Sequence, residues 1–230
     1  EKLLKTDPAP LMHRRNARLI TPGCIDDDMD LIADCDWIVE AIIERLDLKQ
    51  SLYEKIEAAR KPGSIVSSNT STLPLGVLTE GMAESFKADF LIAHFFNPPR
   101  YLRLLEVVAG DRTRAAAVDA LIRFADFNLG KTIVPCKDTP GFIANRIGIY
   151  WLQCGVVRAM DEGLTIEEAD AVMGRPVGIP KTGVFGLLDM VGLDLMPHVL
   201  GGMAEALPEQ DPFHEVFREP ELIKRMIGDG

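Results

Sequence analysis

Apolar and polar positions change period several times along the 230 residues. Those changes divide the chain into elements. Residues 37–43 form a β-rich apolar run after a short helical stretch at 30–36, which predicts a buried parallel strand. From 49 to 60 the apolar residues Leu52, Ile56 and Ala59 share one helical face, and Lys61, Pro62 and Gly63 stop that helix. A strand at 64–69, a polar helix at 75–83 and strands at 90–96 and 104–108 follow. An amphipathic helix over 113–128, closed by Gly130, leads to a last strand at 132–136. Strands that alternate with helices predict a mostly parallel sheet covered on both faces, with ligands bound beyond the carboxyl ends of the strands. Asn69, His94 and Asn97 fall at such ends.

Beyond residue 137 the strand period disappears. Residues 141–160 are strongly helical, Thr165 and Glu168 have the spacing of a capping box, and 194–207 is helical again. The expected organisation is an α/β domain over 1–138 followed by an all-α domain over 139–230. The apolar stretch at 147–160 is too short, and too polar at its ends, to span a bilayer. It predicts a buried or dimer-forming helix and no membrane insertion.

A hydrophobic content of 47% supports a substantial core, which excludes a disordered or fibrous class. The formal net charge of −10 and pI near 4.9 exclude nucleic acid as the expected partner, because a phosphate backbone requires concentrated Lys and Arg. Cys24, Cys35, Cys136 and Cys154 include no close pair, and His13, His94, His198 and His214 complete no metal-ligand spacing. The cysteines read as reduced thiols. With no signal-peptide pattern in the opening residues, a cytoplasmic protein is expected.

The candidate chemistry lies in His94, Phe95, Phe96, Asn97, Pro98 and Pro99, followed by Glu106. A histidine beside two phenylalanines is, taken alone, more often a packed core residue. A carboxylate 12 residues on, across a short strand-to-strand loop, makes an acid/base pair the alternative. An imidazole takes a proton near neutral pH, and a carboxylate on its other nitrogen stabilises the imidazolium. Two further polar blocks flank this segment, Ser67 to Ser71 upstream and Lys137 to Arg146 downstream. No Gly-x-Gly-x-x-Gly, the phosphate-cradling turn of a dinucleotide fold, occurs anywhere in the sequence.

Together these blocks resemble the NAD-dependent 3-hydroxyacyl-CoA dehydrogenases of fatty-acid β-oxidation. The resemblance runs from the Val39 to Ile42 region to the Leu187 to Asp194 block, and Asn97 to Tyr101 is closest to the type often fused to an enoyl-CoA hydratase module. It implies a Rossmann-like sheet whose glycine-rich first unit precedes this portion of a longer polypeptide, and a helical dimerisation domain. It also implies NAD as cofactor, an acyl-CoA substrate and a homodimer.

Residue by residue, the resemblance makes His94 the base, Glu106 its supporting carboxylate, and Ser71 and Asn145 donors to the substrate oxygen. Glu44, Lys49, Ser71 and Asn97 match positions on the cofactor side. Outside that context Ser71 is a turn serine, Asn97 a turn former before proline, and Glu44 with Lys49 a solvated helix-start pair. Arg146 and Asp138 are expected to tie the domain junction, and His198 and His214 to be structural. The family usually shows Gly-Pro-Phe-x-Leu-Leu-Asp where this chain has residues 181–189, so acyl-length preference does not transfer. A 3-hydroxybutyryl-CoA dehydrogenase of a biosynthetic pathway, and a non-catalytic protein that kept the fold, are the competing readings.

Overall fold

The structure is a computed structural model that describes residues 4–7, 9–179, 182–218 and 221–229, without the side chains of His198 and Asp229. Lys181 and the reading of His198 therefore lie outside the described residues. The chain divides into two compact units, Glu1–Phe142 and Ile143–Gly230.

The first unit is built on five strands, β1 (Trp37–Glu40), β2 (Ile65–Ser68), β3 (Phe90–Phe95), β4 (Leu104–Ala109) and β5 (Thr132–Cys136), in the order β1-β2-β3-β4-β5. Every neighbouring pair is parallel except β3 with β4, which is antiparallel. That fold is the expected Rossmann-like, mostly parallel sheet. Its helices are α1 (Leu46–Ala59), the short α2 (Leu75–Leu78), α3 (Glu84–Asp89) and α4 (Ala115–Phe127).

Alternation along the strands sorts two cores onto opposite faces. Val66, Phe90, Ile92 and Val108 pack with Leu52, Tyr53 and Ile56 of α1 and with Phe86 of α3. Leu91, Ala93, Leu105 and Val107 pack with Leu121 and Ala125 of α4. Tyr53, Phe86 and Phe90 meet ring to ring at 5.2–5.5 Å and anchor the first core.

Three expectations change. Residues 37–43 are not a buried strand: β1 stops at Glu40, stands at one edge of the described sheet, and leaves Val39 44% and Ile43 66% exposed. The helix expected at 75–83 ends at Leu78, because Gly81 adopts a φ of 77° that breaks the helical path, and α3 begins three residues later. The short helix at 30–36 is a 3-10 turn over Met29–Ile32.

Among its described residues the second unit has helices and no strand: α5 (Ala144–Asp161), α6 (Ile166–Val172), α7 (Phe185–Val191), α8 (Met196–Ala206), α9 (Phe213–Val216) and α10 (Glu221–Asp229). Leu152, Val156, Phe185, Leu188, Leu200, Met203 and Phe213 form its core. The capping box is present, with Thr165 accepting from the Glu168 amide at 3.2 Å and Glu168 accepting from the Thr165 amide at 2.9 Å. Asp170 of α6 accepts from the amides of Phe185 and Gly186 at 2.7 and 2.9 Å, satisfying the first turn of α7.

Arg146 pairs with Asp211 and lies against the rings of Tyr150 and Phe213. Asp138 accepts from the amides of Leu75 and Gly76 at 3.0 and 3.4 Å, at the start of α2.

Candidate active site

The antiparallel pairing of β3 and β4 sets His94 directly opposite Glu106. Opposed residues on one face of such a pair carry their side chains about 5 Å apart at Cβ, close enough for a side-chain bond. His94 Nδ1 lies 2.8 Å from Glu106 Oε2, with side chains 8% and 1% exposed. An ionised carboxylate only accepts, so the Nδ1–H donates to it, which leaves the lone pair of the neutral ring on Nε2. Among the described residues none bonds Nε2. The ring is held between Phe96 and Phe142, with centroids at 4.5 and 5.8 Å.

The carboxyl ends of β1 and β2 carry a second buried polar cluster. Glu40, 3% exposed, accepts from the Ile42 amide (2.7 Å), Lys49 Nζ (2.7 Å), the Tyr53 hydroxyl (2.8 Å) and the Ser68 hydroxyl (2.7 Å). Lys49 also lies 3.1 Å from Glu44, so one ammonium serves two carboxylates. Glu44 in turn accepts from the Thr70 hydroxyl, the Thr72 hydroxyl (3.0 Å) and the Ser71 amide (3.3 Å).

Burial pushes the Glu44 carboxyl up, but the Thr70 bond, the Lys49 charge and the Thr72 bond outweigh it and hold the group below the ordinary carboxylate range. Burial drives the Tyr53 phenol well up, against the pull of the Ser68 bond, so it stays a donor. Asn69 ties the two clusters together: its amide donates to Glu40 O at 2.8 Å and its Oδ1 accepts from the Phe95 amide at 2.9 Å.

The structure thus brings His94 to Glu106, and Glu44, Lys49 and the Ser71 backbone to one another. The Ser71 side chain makes no bond among the described residues, and Asn97 is exposed three residues beyond His94. Asn145 belongs to the other unit, half-buried in the first turn of α5. Sequence reasoning missed Glu40, Tyr53 and Ser68 as members of the polar cluster. A signal was present, since Glu40 shares its strand face with Ile38 and lies where that period expects an apolar residue.

A half-buried Ser71 whose hydroxyl makes no bond among the described residues, an exposed amide at Asn97 and an acidic acceptor at Glu44 stand beyond the carboxyl ends of parallel strands. That is the donor set and position that a nicotinamide nucleotide with its ribose hydroxyls and carboxamide requires, so the residues present fit NAD.

A mostly parallel sheet with a buried imidazole–carboxylate pair at its strand ends, followed in sequence by a helical unit, defines an α/β dinucleotide-binding protein equipped for acid/base chemistry. Residues 7–139 match the 3-hydroxyacyl-CoA dehydrogenase NAD binding domain and residues 141–230 the 3-hydroxyacyl-CoA dehydrogenase C-terminal domain, and the chain belongs to that family.

A probable 3-hydroxyacyl-CoA dehydrogenase of Deinococcus radiodurans is 42% identical over all of this chain and 65% of its own length. A Bacillus subtilis protein of the same description is 41% identical over all of this chain and 29% of its own. A putative fatty acid oxidation complex trifunctional enzyme of Rickettsia felis is 40% identical over 99% of this chain and 32% of its own. The chain thus spans about a third of two of these relatives and under two thirds of the other. Among solved structures, the (S)-3-hydroxybutyryl-CoA dehydrogenase of Ralstonia eutropha superposes with a TM-score of 0.76 at 28% identity, covering 88% of this chain and 69% of that one.

Proposed function

We propose that this chain carries the catalytic machinery of an NAD-dependent L-3-hydroxyacyl-CoA dehydrogenase of fatty-acid β-oxidation. The observation that carries the reading is the buried His94–Glu106 pair, fixed by strand register at 2.8 Å. His94 Nε2 takes the proton of the 3-hydroxyl, and Glu106 orients the ring through Nδ1–H and stabilises the imidazolium. NAD, when bound, would supply the acceptor for the hydride that leaves the carbon bearing that hydroxyl.

Ser71 and Asn145 are assigned, on the resemblance, as donors to the substrate oxygen as it becomes a carbonyl. Glu44 and Asn97 are assigned to the cofactor side. Lys49, with its side chain 1% exposed, acts there through the Glu44 carboxylate it holds.

A homodimer is proposed through the helical unit. Ile147, Val172, Met190 and Leu195 leave 51–70% of their surface exposed there, and a second copy would cover apolar area of that kind. A cytoplasmic location is proposed from four free cysteines, which suit a reducing compartment.

The test is loss of NADH absorbance with acetoacetyl-CoA and with longer 3-ketoacyl-CoA esters, for this chain beside its His94→Gln variant. Turnover that the substitution abolishes is the expected result. A rate that survives His94→Gln would overturn the reading. The ratio between short and long esters decides the competing 3-hydroxybutyryl-CoA reading, which the Ralstonia structure favours by its name.

A further inference from the structure

Lys131 immediately precedes β5, its side chain is buried and its residue only 7% exposed. Buried lysines ordinarily have a carboxylate partner. Lys49 has two, whereas Lys131 forms no salt bridge among the described residues. Its ammonium instead donates to the carbonyls of Pro99 and of Leu102, the latter at 2.7 Å, and stands 5.4 Å from the centre of the Phe95 ring. Burial accordingly lowers the amine from its ordinary value.

Both carbonyls belong to the loop that joins β3 to β4. Two of its side chains reach outward, Arg100 to the carbonyls of Ala9 and Leu11 and the Tyr101 hydroxyl to that of Ala9, whereas Pro98 and Pro99 have no N–H to anchor the loop from within. Its internal bonds run from the Tyr101 and Leu102 amides to the single carbonyl of Pro98, at 2.9 and 3.0 Å. The two strands it joins carry His94 and Glu106, and Phe95, under the ammonium, adjoins His94.

We propose that Lys131 is a positioning residue: its ammonium clamps the β3–β4 loop through the Pro99 and Leu102 carbonyls and so keeps His94 in bonding register with Glu106. The functional meaning of the clamp rests on the acid/base role proposed for that pair. The geometry it claims can be tested without turnover.

The experiment is NMR on this chain, comparing wild type with Lys131→Met, which keeps the stem over Phe95 and removes the donors, and with Lys131→Arg, which restores them. In Lys131→Met the Tyr101 and Leu102 amides are expected to exchange about tenfold faster or more, and the downfield Nδ1 proton of His94 to disappear into solvent exchange. The β2 amides should hold within about twofold. Lys131→Arg should recover both signals. Should the methionine variant not fold, Lys131→Gln, whose shorter neutral amide reaches one carbonyl at most, gives the same reading.

Unchanged loop amides would overturn the proposal, as would a faster loop with an intact Nδ1 proton. Uniform acceleration across the sheet would make Lys131 a stability residue and overturn it equally. In the turnover assay, the expectation is a fall in kcat with KM little changed, because the pair acts on the reacting hydroxyl rather than on the rest of the ester. Failure of the dehydrogenase reading would leave the NMR result standing.

Discussion

Glu106 and Glu40 are both buried carboxylates near the carboxyl ends of the sheet, and they are used in opposite ways. Glu40 is surrounded by four donors, from the turn after β1, from α1 and from β2, which satisfy its oxygens. Glu106 engages an imidazole whose second nitrogen no described residue bonds. A buried charge whose partners are all satisfied holds a fold together, whereas one that ends in an uncommitted titratable nitrogen can pass a proton on.

The comparison can be broken at its reactive half first. His94→Gln is expected to lower turnover by about 10²–10⁴-fold while leaving the thermal midpoint nearly unchanged. Glu40→Ala should do the reverse in kind, costing about 3–5 kcal/mol of stability in urea titrations, because Lys49 then loses the closer of its two carboxylates. If Glu40→Ala spares stability, the saturated cluster is not what holds the ends of β1 and β2. Glu106→Gln keeps the shape of its side chain but replaces a charge-assisted bond, so a loss of about 10–100-fold in kcat is expected, read in the same NADH assay.

A smaller effect sharpens the comparison through pH. Glu44 sits below the ordinary carboxylate range, and so does Asp89, which burial pushes up but the Arg60 and Arg114 bonds bring down further. For a carboxyl whose folded value is depressed, the stability it adds is present above its unfolded pKa and is lost as pH falls through the folded value. Urea titrations between about pH 6 and pH 3 should therefore show a steeper acid loss in wild type than in Glu44→Gln or Asp89→Asn. Equal slopes would separate these pairs from the stability of the sheet. Least of all, Thr165→Ala should cost about 1 kcal/mol through the cap of α6, with no effect on the rate.

Much of this contrast was legible in the sequence on one side only. The strand at 90–96 and the carboxylate at 106 pointed to the His94–Glu106 contact, because a two-residue period and a short loop leave few ways to bring a histidine and a glutamate face to face. Glu40 was hidden, since one acid in an apolar run gives no sign of which donors will surround it. Those donors come from Lys49, Tyr53 and Ser68, 9 to 28 positions away, and only the packing of α1 on the sheet unites them. The break after Leu78 escaped for a related reason. The helical period at 75–83 was plausible locally, and the decision lay in the backbone angle of Gly81.

The edge strand has a consequence for handling the protein. Among the described residues β1 has a strand neighbour on one side only, so its outer backbone edge and the exposed Val39 present a template to which another strand can add. Mutual repulsion between chains of formal net charge −10 opposes such additions, and that repulsion vanishes near the pI of 4.9. Colloidal behaviour should therefore divide sharply with buffer, with clear solutions at neutral pH and low salt and clouding as acid or concentrated salt removes the repulsion.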